Sequence, residues 1–337
     1  MDFFQLAAQG LSSVEHAIDP AMAAVTPGQV TGPGRAAPTI DGTPEGVLGH
    51  LGQLAGDFGR GLSQEGLSGI FDPIGMLDRQ EAQRELRGNF DIIDPAHPPA
   101  PGTAAPNQIS EEEFERTARL YSDIRLDRTH MHFGIDEMTD ADQGQYQRDM
   151  MGQIGRILQT GTGREMIDGL AHNPLDHDLT FHAHRDASGA IDNSNANAEP
   201  TTTEADASTP GVGASVDLNI NPGNDSTIVG RATDPWRDQR GDVTLFHEMT
   251  HAWHELRGTD DASGPVTAPG LGGSTRDADR GDIQAWEHQA VGLGAHAGDT
   301  SPNENSYRRE RARIGAAGGA GVVPGDVGMP LRGDYAP

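Results

Sequence analysis

Two histidines four residues apart, His247 and His251, enclose a glutamate in the run His247-Glu-Met-Thr-His251. On a helix that separation is about one turn, so both imidazoles leave the same side and can share one divalent cation. Zinc suits neutral imidazole nitrogens at about 2.0–2.1 Å. Glu248 projects beside the pair, placed to take a proton from a water on the metal and hand it to a leaving amine. Cysteine is absent, which removes disulfides, a thiol nucleophile and thiolate ligands, so any metal must be held by His, Asp and Glu. Lysine is absent as well, and with it Schiff-base and lysine-base chemistry; all 24 basic residues are Arg. An acidic, salt-tolerant surface or a GC-rich genome explains that bias, as does a working life in a foreign cell where a side chain that cannot accept ubiquitin prolongs survival.

A catalytic zinc needs three protein ligands and an open position. A third histidine six residues beyond His251 would complete the site from one segment, but that position is Arg257. Asp282 to Val291 reads as a second helix, and Glu287 in its middle, 36 residues after His251, is the third ligand we expect for one zinc per chain. Asp279, Asp282 and His288 are the alternatives. His254, Asp217 and Asn219 suit supporting roles behind the ligands. Near the C-terminus, Arg332 and Tyr335, or Tyr307, are the donors that a tetrahedral oxyanion requires.

These side chains need elements to carry them. Asp242 to Gly258 reads as one helix, with Asp242 near its N-cap, Gly258 at its stop and Phe246, Met249, Trp253 and Leu256 as the buried stripe. Upstream, Ser110 and three glutamates open a helix over 110–124, Met131 to Ile135 is a short strand, and Tyr146 to Leu158 repeats at helical spacing. Gly161-Thr-Gly163 reads as the end of that helix, with another from Arg164 to Leu170. Leu179 to His184 and Ser215 to Ile220 alternate with period two and read as half-buried strands. The polar stretch from Asp186 to Gly213 reads as a long exposed excursion.

The 337 residues are 34% apolar and 5% aromatic, and 45 Gly with 22 Pro make a single core across the whole chain unattainable. Residues 1–107 mix short amphipathic pieces, including Phe3 to Ile18 and Leu77 to Leu86, with Gly/Pro/Ala runs. They end in a five-proline stretch at 95–107 that reads as an extended linker, leaving 108–337 as the second domain. The formal charge of −27 repels phosphate backbones and anionic membranes, which excludes nucleic-acid binding as a main activity. No run of 18 apolar residues supports membrane insertion, and the N-terminus lacks the pattern of a Sec signal peptide.

The run from His247 to Gly258, then Glu287-His-Gln-Ala-Val-Gly292, Pro302-Asn-Glu-Asn-Ser-Tyr-Arg308 and Pro330-Leu-Arg-Gly-Asp-Tyr335, in that order, resembles the NleD-type effector zinc metallopeptidases of bacteria. The upstream Leu158-Gln-Thr-Gly-Thr-Gly-Arg164 is similar to that family too, and the likeness covers roughly residues 125–337. It implies an α+β, zincin-like domain whose HExxH helix packs on a small mixed sheet. It also implies a protease delivered into another cell, where family members cut host signalling proteins such as MAP kinases. More distantly, the gap from His251 to Glu287 and the Arg-x-x-Tyr at 332–335 resemble clostridial neurotoxin light chains. That likeness implies zinc binding by Glu287 and transition-state roles for Arg332 and Tyr335.

The resulting expectation is a zinc endopeptidase effector or toxin, exported by a specialised system and acting on protein substrates in the target-cell cytoplasm. Residues 1–107 would serve delivery, through a secretion apparatus or chaperone. A non-catalytic metal-binding cargo protein and a self-processing peptidase are the competing readings.

Overall fold

The computed structural model describes residues 72–134, 139–185, 196–222, 240–266 and 283–333, all within the compact unit Asp57–Pro337. The expected helix near the N-terminus lies outside the described residues. Helix α1 (Pro73–Leu86) is followed by two short strands, β1 (Asp91–Ile92) and β2 (Gln108–Ile109), which pair in parallel. The proline-rich stretch thus runs as a series of turns between two paired strands. α1 packs on α2 (Glu111–Arg125), with Arg125 bonded to Asp78 at 2.9 Å and to Glu85 at 3.0 Å. Leu86 and Phe90 are buried with Phe114 in the main core, so this segment contributes apolar surface to the same body as the motif helix.

Among the described residues the expected helices and strands form, and two differences upstream of the motif helix are informative. Ser110 caps α2 by accepting from Glu113 N–H, and the three glutamates occupy the first turn, where the helix dipole favours them. After β3 (Met131–Phe133) comes α3 (Asp140–Ile157), and then α4 (Gly161–Ala171), which begins three residues before the expected Arg164. The stop is set by Thr160, whose hydroxyl accepts from Gly163 N–H at 2.8 Å and so starts the next helix. Gly163 belongs to that first turn because a Cβ there would lie 1.9 Å from the Ile157 carbonyl oxygen. The glycine serves a close approach between two helices instead of a termination.

The second difference concerns the polar excursion. β4 (Leu179–His182) and β6 (Val216–Asn219) form as read, in parallel with β3, but β5 (Asn197–Pro200) adds an antiparallel edge strand to β6. The strand order is β3-β4-β6-β5, and a single turn of helix, α5 (Glu204–Ala207), follows β5. Its sequence Asn-Ala-Glu-Pro has no buried residue, so main-chain pairing holds it in place and no apolar period marks it. Leu179, Phe181, Val216 and Leu218 are fully buried on one face of the sheet, while Thr180, His182, Asp217 and Asn219 occupy the other.

α6 (Gly241–Glu255) is the centre of the fold. It touches β5, β6, α3 and α4 and two later helices, α7 (Ala285–Val291) and α8 (Glu304–Ala317). Packed on so many sides, it buries every residue but Trp253. Phe246, Met249 and Leu256 are fully buried, as the stripe requires, and Trp253 is half-buried under the Arg257 guanidinium at 3.5 Å. Asp242 sits in the first turn next to the N-cap, Arg240. Gly258, two residues past the C-cap Leu256, takes φ 66° where a Cβ would meet the Thr209 carbonyl at 1.9 Å. A two-stranded antiparallel ribbon of β7 (Pro265–Val266) and β8 (Ile283–Gln284) leads directly into α7. The fold is therefore an α+β domain in which helices dominate and a small mixed sheet backs the motif helix. No helix among the described residues is long and apolar enough to cross a membrane.

Candidate metal centre

His247 and His251 leave α6 one turn apart, and their Nε2 atoms stand 3.2 Å from each other. α7 packs against α6 and brings Glu287 from its first turn to the same point: Oε2 is 3.3 Å from His247 Nε2 and 3.5 Å from His251 Nε2. Two nitrogens and one oxygen thus form a triangle with edges of 3.2–3.5 Å. Ligands about 2.0–2.1 Å from a tetrahedral ion are separated by roughly 3.4 Å, so the triangle has the dimensions that a zinc-sized ion requires. Among the described residues, these three alone have their donor atoms all within 4.8 Å of one another, close enough to hold a metal ion as they stand.

The electrostatics carry the same signature. Burial opposes the imidazolium form of His247, but hydrogen bonds to Glu287 and Glu304 outweigh it and lift its pKa to about 10. Burial opposes charge on His251 too, and the Glu287 carboxylate reverses the balance. Glu287 is in turn held well below the ordinary carboxylate range, against the pull of its own burial, by the two histidines. The position thus draws positive charge, which a divalent cation can supply. Glu248 is buried beside the pair; burial first, then the charges of Glu287 and Glu304, raise its pKa despite the opposing pull of His247 and His251.

Behind the triangle stands Glu304, whose position sequence reasoning did not single out. The helix α8 opens on an Asn303/Ser306 capping box, which sets Glu304 in the first turn. Its fully buried carboxylate meets His247 Nδ1 at 2.9 Å, accepts from Arg332 Nη1 at 3.1 Å and from Arg308 Nε at 2.6 Å. A histidine ligand whose other ring nitrogen faces a carboxylate is fixed in tautomer and orientation. Arg308 sits four residues after Glu304, a spacing that in sequence reads as an ordinary surface pair; complete burial is what changes its meaning.

Arg332 is buried, and its main chain is locked to Asn305 in both directions, N–H to Oδ1 at 2.8 Å and carbonyl from Nδ2 at 2.9 Å. It therefore lies one carboxylate away from His247. Tyr307 is also fully buried, stacks on Phe246 at 4.5 Å between ring centroids, and donates its hydroxyl to Asp242 at 2.6 Å. That hydroxyl braces the first turn of α6 and is not presented to an oxyanion. Tyr335, Asp279 and Asp282 lie outside the described residues. His288 is buried apart from the triangle, and His254 pairs through Nδ1 with Thr259 at 3.0 Å. Burial, with the nearby His251 and His296, drives the His254 pKa down to about 3, so it is a neutral packing group. Asp217 and Asn219 face the other side of the sheet, where they line a cavity of about 490 Å³ with His182.

One turn beyond His251, burial pushes the Glu255 carboxyl up to about 8, and nearby Asp260 and Glu204 add to the effect. A carboxyl raised in the fold above the ordinary 4.5 favours the native state while protonated, and this contribution disappears as pH rises through about 8. Metal-free protein is expected to lose stability between those values, and Glu255→Gln should flatten that slope. Thermal melts from pH 5 to pH 9 after chelation check this; identical pH profiles for the two proteins would refute it.

Comparison with known families gives one finding. Residues 136–335 match the model of peptidase family M91, described as effector protein. No curated protein matches the chain. The matched span includes the whole triangle, Glu248 and Glu304.

Proposed function

The chain belongs to the M91 family of effector peptidases, and we propose that it is a zinc-dependent endopeptidase that hydrolyses proteins of a target cell. The observation that carries the proposal is the convergence of His247, His251 and Glu287 on one ion-sized space with Glu248 buried alongside. A zinc ion held by those three residues supplies Lewis acidity to a water and to the scissile carbonyl. Glu248 takes the proton from the attacking water as its oxygen bonds to the carbonyl carbon, then delivers it to the amine as the peptide C–N bond breaks. A carboxyl raised by burial suits both steps, because its proton affinity lies nearer that of its partners. Arg332 and Tyr335 are proposed to donate to the oxyanion of the tetrahedral intermediate. Glu304 keeps His247 in the orientation that leaves Nε2 for the metal.

Delivery is proposed for the N-terminal region within 1–107, by a specialised route, with the cytoplasm of the target cell as the place of action. α1 and residues 91–109 contribute to the peptidase core, so a deletion that tests delivery without unfolding the domain must stop before Asp72.

Elemental analysis of wild type and Glu287→Ala tests the metal centre. One zinc per chain in the wild type, weakened or lost in the variant, is the expected result. Zinc absent from both proteins after purification and zinc dialysis would overturn the proposal.

A further inference from the structure

A second group of histidines and carboxylates stands at the amino ends of β3 and β4, on the side of the sheet furthest in strand order from β5. His130 immediately precedes β3, His132 lies within it, and Asp178 immediately precedes β4. Parallel pairing fixes their separation: Leu179 N–H donates to the His130 carbonyl, and His132 sits opposite Thr180. Asp178 Oδ1 is 2.9 Å from His130 Nδ1 and 3.3 Å from His132 Nε2, so one oxygen lies between two rings.

The far nitrogen of each ring faces a carboxylate of its own. His130 Nε2 is 3.4 Å from Asp176, and His132 Nδ1 is 2.6 Å from Asp127. Asp127 at φ 57° and Asp176 at φ 63° are the two non-glycine residues with left-handed backbone among the described residues, and each places its carboxylate on one of these rings. Five groups therefore gather where a simple ion pair needs two. Three carboxylates against two imidazoles leave excess negative charge even with both rings protonated. A ring nitrogen turned toward a shared oxygen, with the opposite nitrogen backed by a carboxylate, is the arrangement that metal-bound histidines adopt.

We propose that His130, His132 and Asp178 form a second site for a divalent transition metal, with Asp127 and Asp176 orienting the two rings. The set of two nitrogens and one oxygen selects zinc, nickel or copper over calcium or magnesium. The histidine side chains are 30% and 32% exposed, so water completes the coordination and the ion exchanges more readily than in the buried triangle. Donor atoms of the first triangle are already within 4.8 Å of one another, whereas the second set must contract, the imidazoles closing over Asp178 by side-chain rotation. An ion here ties edge strand β3 to the loop that enters β4.

Zinc titration of the full chain, read by calorimetry and by elemental analysis after dialysis, tests the proposal without reference to peptidase activity. Wild type is expected to bind two zinc ions per chain, one tightly and one more weakly. His247→Ala/His251→Ala should keep only the weaker site, and His130→Gln/His132→Gln only the tighter. Asp178→Asn, which preserves side-chain volume, should lose the weaker site even if the double glutamine variant fails to fold. Saturation of wild type at one zinc, or unchanged stoichiometry in the folded Asp178→Asn and His130→Gln/His132→Gln proteins, would overturn the proposal. Loss of the tight site alone would bear only on the first triangle.

Discussion

Glu248→Gln is expected to reduce peptide hydrolysis by at least about 10²–10⁴-fold, the range that a positioned general base contributes, while zinc content stays at the wild-type level. The amide has the shape of the carboxylate but cannot accept the proton of the attacking water. Glu248 stands beside the three groups that could hold a metal and is not one of them, so metal uptake should not follow activity downward. Stability gives a second readout with the opposite sign. Burial raises the Glu248 pKa, which means that ionising it in the fold costs free energy above the ordinary glutamate value of 4.5. The glutamine variant carries no such cost and is expected to melt no lower than wild type at neutral pH. Cleavage of a protein or peptide library by both proteins, with melts on the same samples, checks the pair of expectations. Wild-type turnover in a folded, zinc-loaded Glu248→Gln protein would remove Glu248 from the chemistry.

The parts of this site that could be read in the sequence are those encoded locally. His247, Glu248 and His251 share one helix, and an imidazole repeat of four residues has geometric meaning wherever a helix forms. Glu287 could be read because it falls in a helical segment at a plausible distance in the chain, although the helix begins at Ala285, after a strand that the segment's polarity conceals. β5 was illegible for a different reason. Its order depends on main-chain bonds to β6, and its side chains carry no hydrophobic alternation to reveal it. Thr160 and Gly163 mark a place where two local rules compete, since a glycine pair looks like a helix end and a threonine three residues before Gly163 is an N-cap. Packing against the Ile157 carbonyl decides between them. Glu304 lies furthest from sequence reasoning. Nothing in Asn-Glu-Asn-Ser-Tyr-Arg announces that one carboxylate will be fully buried against a histidine 57 residues earlier and an arginine 28 residues later.

Glu304 is therefore where substitution should have the largest structural consequence. Burial works to raise its pKa, but Arg308, Arg332 and His247 overcome that and hold it far below the ordinary 4.5. Glu304→Ala would leave the Arg308 and Arg332 guanidiniums, 2% and 3% exposed, without their shared partner. Removing one member of a buried ionic group in this way costs about 3–5 kcal/mol. His247 would also lose the acceptor that fixes its ring, and loss of such a partner typically weakens metal binding by about 10–100-fold. Glu304→Gln preserves the volume and one acceptor oxygen but not the charge, so it should fall between wild type and Glu304→Ala in both respects. The sign with pH follows from the depressed value: the carboxylate stabilises the fold above 4.5 and loses that contribution only in strong acid, so the gap between wild type and Glu304→Ala should narrow as pH falls below it. Zinc affinity measured by chelator competition at a temperature where each protein is folded separates the two roles. A lower melting temperature with unchanged affinity would reduce Glu304 to a structural anchor; weaker affinity in the folded glutamine variant would establish that α8 reaches the metal centre through the His247 ring.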